Sequence, residues 1–163
     1  MQKSYINILT LCRIFFGLLF LYFTLIDFNI YFLLLIFILT TFSDYFDGKI
    51  AIKYKLNTNE GAKLDVICDF IFIILSTFAV IMRNIIPFWF LFIIIFKLVE
   101  FFSISSRNDL YYEKFGHIVA LMFYVYPIVA LLIHSEMINT FLAIFITVCA
   151  VISSISRIRN VIK

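Results

Sequence analysis

Charge, glycine, proline and patterned cysteine are all scarce in this chain. Only 14% of its 163 residues are charged, against about 25% in a soluble domain, so no soluble domain is hidden in it. With four glycines and two prolines there is no Pro-rich linker, and no repeat or low-complexity tract is present. Cys12, Cys68 and Cys149 stand singly within apolar segments. They lack metal-ligand spacing and read as small buried hydrophobes.

What fills the chain is apolar: 64% hydrophobic residues, with 22 phenylalanines. That composition is expected of an integral membrane protein. Apolar runs cover roughly 6–27, 30–48, 64–82, 85–105, 115–134 and 137–156. A span needs about 20 residues, so six spans nearly exhaust the length and leave one domain over 1–163. The expected fold is all-α: a polytopic protein of six transmembrane helices with a polar active-site cavity at the cytoplasmic face. The first run is too long for a signal-peptide core and no small-residue cleavage pattern follows it, so it is expected as a helix of the mature protein.

Basic residues give an orientation. Lys3, then Lys49, Lys53, Lys55 and Lys63, then Arg107 and Lys114, and finally Arg157, Arg159 and Lys163 fall on one side if the spans alternate. Arg83 falls on the other. Both termini are therefore expected in the cytoplasm. The net charge of +3 reflects this bias and suits anionic headgroups or phosphorylated substrates; no nucleic-acid partner is expected.

Against this background, carboxylates in or beside apolar runs need a reason. Asp44 and Asp47 stand at i and i+3, bordered by Gly48 and Ala51, where the second helix is expected to continue through about Lys53. Asp65 and Asp69 stand at i and i+4 on the third helix, with Gly61 one turn earlier. An unpaired carboxylate near hydrocarbon costs at least ~2.5 kcal/mol, and clustered carboxylates oppose one another's ionisation. Four negative charges balance two divalent ions. Hard oxygen ligands without His or Cys point to Mg2+ or Mn2+.

The run Asp44-x-x-Asp47-Gly48-x-x-Ala51, followed by Gly61-x-x-x-Asp65-x-x-x-Asp69, resembles the signature of the CDP-alcohol phosphatidyltransferases, D-x-x-D-G-x-x-A-R and then G-x-x-x-D-x-x-x-D. Seven of its eight fixed residues are present at the right gap. The resemblance extends to Asn7-Ile8-Leu9-Thr10-x-x-Arg13 and to Lys114-x-Gly116-His117. One position departs: Ile52 stands where the family carries Arg, with Lys53 next to it, and one residue along a helix turns a side chain by about 100°.

The resemblance implies an enzyme that moves the substituted phosphate of a CDP-alcohol, CDP-diacylglycerol foremost, onto the hydroxyl of a small water-soluble alcohol, releasing CMP in phospholipid biosynthesis. It implies that Asp44, Asp47, Asp65 and Asp69 hold two metals and that Asp69 takes the acceptor's proton. Asn7, Thr10, Gly48, Ala51, Thr58 and Gly61 would line the nucleotide. Glycerol 3-phosphate is the favoured acceptor and inositol phosphate the next, with Arg13, Lys53, Lys97, Arg107, Lys114 and His117 as candidate phosphate or acceptor contacts. It also implies a homodimer in the plasma membrane of a prokaryote, its active site facing the cytoplasm.

Plainer readings stand beside these. Lys97 and Glu100, at i and i+3 within an apolar run, also read as an intramembrane ion pair, and Arg157 and Arg159 as snorkelling anchors ending the last helix. Arg13 requires a phosphate or carboxylate partner if it is not to snorkel. Two other functions stay open: a cation- or proton-coupled transporter built on the same acids, and a catalytically weakened family member, the latter on account of Ile52.

Overall fold

A computed structural model of the chain describes residues 2–53, 59–105, 114–133 and 135–162, and side chains over 12–43, 63–103, 115–133 and 135–159. All the secondary structure described is helical. Six helices follow in order: α1 (Gln2–Leu25), α2 (Ile30–Lys53), α3 (Asn59–Met82), α4 (Trp89–Ser105), α5 (Lys114–Leu132) and α6 (Glu136–Ile162). The chain divides into two compact units, Met1–Ala79 and Val80–Lys163.

In the first unit, α1 packs on α2 through a corner whose geometry is local. The N–H of Phe28 donates to the Phe23 carbonyl and that of Asp27 to the Thr24 carbonyl, the paired bonds that close a helix C-terminus. Asp27 takes the left-handed conformation this needs, at φ 55°. The rings of Phe23 and Phe28 meet at 5.1 Å and those of Phe23 and Phe32 at 4.7 Å. Asn29 then caps α2, its side-chain oxygen accepting the Tyr31 N–H at 3.0 Å.

Deeper in that unit, Phe72 of α3 takes the edge of Phe20 from α1 and a tilted contact from Phe37 of α2. Gly17 lets α1 come close to α3: a Cβ there would stand 3.0 Å from Leu75 Cδ1 and 3.4 Å from Phe72 Cδ2. Arg13, Gly17, Phe20 and Thr24, each about one turn from the next, form the buried stripe of α1.

In the second unit, α3 ends by the same device. Asn84, at φ 58°, donates to the Ile81 carbonyl while Ile85 donates to that of Val80. Ile85, Ile86 and Pro87 therefore lie outside any helix and α4 begins at Trp89, four residues later than the apolar run suggests. Phe90 packs edge-on against Phe123 and Tyr126 of α5. The Tyr126 hydroxyl donates to the Asn139 carbonyl at 2.7 Å. The Asn139 amide donates in turn to the Ala130 and Ile133 carbonyls at 3.2 and 3.0 Å, covering acceptors that the end of α5 leaves over.

Polar side chains survive in these apolar helices by turning back on their own backbone. Thr40, Thr41 and Thr147 each donate to the carbonyl four residues earlier. Among the described residues, Lys63–Met82, Phe115–Leu132 and Glu136–Arg159 are long and apolar enough to cross a membrane, with mean hydropathy of 2.4, 2.0 and 2.2; Cys12–Leu25 and Ile30–Ser43 are shorter apolar stretches.

Candidate active site

The first unit brings three of the singled-out residues together. Asp65 and Asp69, one turn apart on α3, both face Arg13 of α1: its Nη1 lies 2.6 Å from Asp65 Oδ1 and donates to Asp69 Oδ1 at 2.7 Å. The Arg13 side chain is fully buried, whereas those of Asp65 and Asp69 are 42% and 35% exposed. A guanidinium that cannot be deprotonated is tolerable at such depth only beside anions. The two carboxylates supply them, and α1 reaches them because Gly17, one turn on from Arg13, leaves room for close packing.

Asp65 and Asp69 thus turn an oxygen each toward one cationic nitrogen. The donor set fits a hard divalent ion, and the Arg13 nitrogen shows that a positive charge is accepted between them. Among the described residues no group of three or more His, Cys, Asp or Glu gathers around one point. Asp44 and Asp47 lie outside the residues whose side chains are described, although their backbone belongs to α2. The same holds for Asn7, Thr10, Gly48, Ala51, Lys53, Gly61 and Lys114, which are on helices, and for Thr58 and Arg107 entirely.

A second polar cluster sits in the other unit, between α4 and α6. Lys97 Nζ donates to Glu100 Oε2 at 3.0 Å and to the Ser154 hydroxyl at 3.1 Å, with Ser153 Oγ at 3.5 Å. Ser154 donates to the same Glu100 oxygen at 2.6 Å. The Lys97 charge is therefore matched inside the protein, as the ion-pair reading expects. Arg157 departs from expectation: it does not snorkel but is 7% exposed, its guanidinium 5.0 Å from the centre of the Phe101 ring. Arg159 is exposed. His117 is exposed at the start of α5, and at Gly116 beside it an added Cβ would make an ordinary contact with Ser153 Oγ at 3.8 Å.

Sequence reading missed Gly17, the Ser153-Ser154 pair and Asn139. Gly17 had a usable signal, its place one turn from an arginine that opens an apolar run. The other three are ordinary polar residues until their neighbours are known.

An all-helical chain with membrane-grade helices and a carboxylate pair gathered on a cation at the start of one of them defines a class of site. The particular family follows from comparison. The model of the CDP-alcohol phosphatidyltransferase family matches residues 5–155, and the chain belongs to that family. No individual curated protein matches it. The protein is accordingly an enzyme that transfers a phosphate-substituted group from a CDP-alcohol to an alcohol acceptor, in a family that uses divalent cations; the transporter reading is set aside.

Proposed function

We propose that the protein transfers the phosphatidyl group of CDP-diacylglycerol to a small water-soluble alcohol, glycerol 3-phosphate ahead of an inositol phosphate, with release of CMP in phospholipid synthesis. The observation that carries the site assignment is the convergence of Asp65 and Asp69 on one cationic nitrogen at 2.6 and 2.7 Å. Asp44, Asp47, Asp65 and Asp69 would hold two divalent cations, Mg2+ or Mn2+, which would supply positive charge against the pyrophosphate and the departing CMP. Asp69 also receives the acceptor's hydroxyl proton. The acceptor oxygen forms the new bond to the lipid-bearing phosphorus while the bond from that phosphorus to the CMP oxygen breaks. Asn7, Thr10, Gly48, Ala51, Thr58 and Gly61 contact the nucleotide.

The acceptor assignment draws on the basic residues outside the aspartate motif. Lys97 is already neutralised by Glu100, so Arg107, Lys114 and Lys53 are the favoured cations for an acceptor phosphate, with His117 as a further polar contact. The chain is one catalytic domain over 1–163, since the family match runs through both compact units. Six spans place both termini and the aspartates at the cytoplasmic face of a prokaryotic plasma membrane, and the enzyme is a homodimer.

The test is CMP release by the purified protein with CDP-diacylglycerol and Mg2+, against glycerol 3-phosphate, inositol 1-phosphate, inositol, serine and no acceptor. Release that depends on glycerol 3-phosphate supports the assignment, and a different productive acceptor replaces it. Binding of the CDP-lipid without turnover across the panel points to the weakened member that Ile52 suggests.

A further inference from the structure

The sequence asks Arg13 for an anionic partner, and the structure supplies two that the reaction also requires. Arg13 is fully buried, permanently charged and placed with one nitrogen against both Asp65 Oδ1 and Asp69 Oδ1. A divalent cation ligated through those two oxygens needs the volume that the Nη1 hydrogens fill, and two cations repel in a poorly screened interior. Resting on the metal assignment above, we propose that Arg13 is a built-in countercation of the aspartate pair. It holds Asp65 and Asp69 oriented in the metal-free enzyme, yields their Oδ1 atoms when the divalent ion arrives, and thereby sets the enzyme's metal affinity.

Several features of the site agree with this role. The carboxylates are partly exposed while the guanidinium is fully buried, so an ion from outside meets the carboxylates before the arginine. Without Arg13 the metal-free pair would be two like charges one turn apart, held at a cost. With it the pair is satisfied, and the metal must compete. Arg13 acts through the aspartates and is a positioning residue.

The competition has a direction that a merely structural arginine lacks: removing the charge tightens metal binding. Mn2+ binding is measured from the free-ion electron paramagnetic resonance signal on the wild-type enzyme, Arg13→Gln, Arg13→Lys and the double variant Asp65→Asn/Asp69→Asn. Arg13→Gln is expected to bind Mn2+ about tenfold more tightly, the factor by which a competitor holding the site ten parts to one weakens apparent affinity. Arg13→Lys stays near wild type and the double variant loses binding. If Arg13→Gln binds Mn2+ equally or less well while the double variant loses it, the countercation role is overturned and the metal assignment stands. If the double variant binds like wild type, the metal assignment falls and this inference with it. A measurement on the wild-type protein covers a glutamine variant that fails to fold: in arginine-labelled protein, the guanidinium hydrogens of Arg13 are expected to exchange slowly without metal and faster with saturating Mg2+. Unchanged protection overturns the proposal.

Discussion

Replacing Asp69 with Asn keeps the size of the side chain and removes a charge that Arg13 faces at 2.7 Å. Asp65 still neutralises the arginine, so the fold is expected to survive, with a melting temperature in detergent within a few degrees of wild type. CMP release is expected to fall by about 10²–10⁴-fold from loss of the base alone, and further if metal is lost. Full activity in Asp69→Asn would sink the assignment of the base. A second residue-scale expectation concerns backbone. Asn84 sits at φ 58°, where a glycine carries no steric penalty and a β-branched residue carries about 1–2 kcal/mol. Thermal unfolding should show Asn84→Gly equal to or slightly above wild type and Asn84→Val below it. The need of Arg13 for an anion was legible in the sequence, because charge inside an apolar run demands a partner. Which anion answered was not: Asp65 and Asp69 lie more than fifty positions away, and only the packing of α1 on α3 at Gly17 joins them.

At the scale of elements, the network between α4 and α6 gives a test of what holds buried charge. The Lys97 and Glu100 side chains are 9% and 8% exposed, and Ser154 bonds both. Removing one partner leaves the other uncompensated, so Lys97→Met alone is expected to cost about 3–5 kcal/mol. Lys97→Met with Glu100→Leu should recover most of that loss. Unfolding of the two variants and wild type measures the difference, and a double variant no better than the single would mean that the pair does more than satisfy itself. The end of α5 offers a parallel case. Asn139 covers two carbonyls there, and Asn139→Leu, which strands both acceptors, should destabilise by about 1–3 kcal/mol. Helix positions were legible from the apolar runs, and the continuation of α2 to Lys53 from the spacing of Asp44, Asp47, Gly48 and Ala51. The late start of α4 was not, because Ile85 and Ile86 are as apolar as a span. Only the left-handed Asn84 and Pro87 hold them out of the helix.

For the whole molecule, both termini share a face only if every helix crosses. At about 1.5 Å per residue, the 24 residues each of α1, α2 and α3 run to roughly 36 Å, beyond the ~30 Å of a hydrocarbon core. The 27 residues of α6 exceed it too. The 17 residues of α4 give about 26 Å, at the lower bound for a span, so α4 is where the alternation is most exposed to failure. It carries Lys97 and Glu100, whose mutual neutralisation lowers the cost of crossing, and its exposed Phe92, Phe96 and Val99 suit a lipid face. Six crossings put residues 3 and 163 on one side with the 106–113 connection, and Asn84 on the other. With Cys12, Cys68 and Cys149 replaced by alanine, single cysteines at positions 3, 84, 108 and 163 can be labelled with an impermeant maleimide in sealed vesicles of known orientation. Positions 3, 108 and 163 should react together and position 84 from the opposite face. A cysteine at 108 that reacts with 84 instead would mean that α4 returns without crossing. Position 163 would then share the side of 84 as well, and the charge bias used to orient the protein would lose both Arg107 with Lys114 and the group Arg157, Arg159 and Lys163.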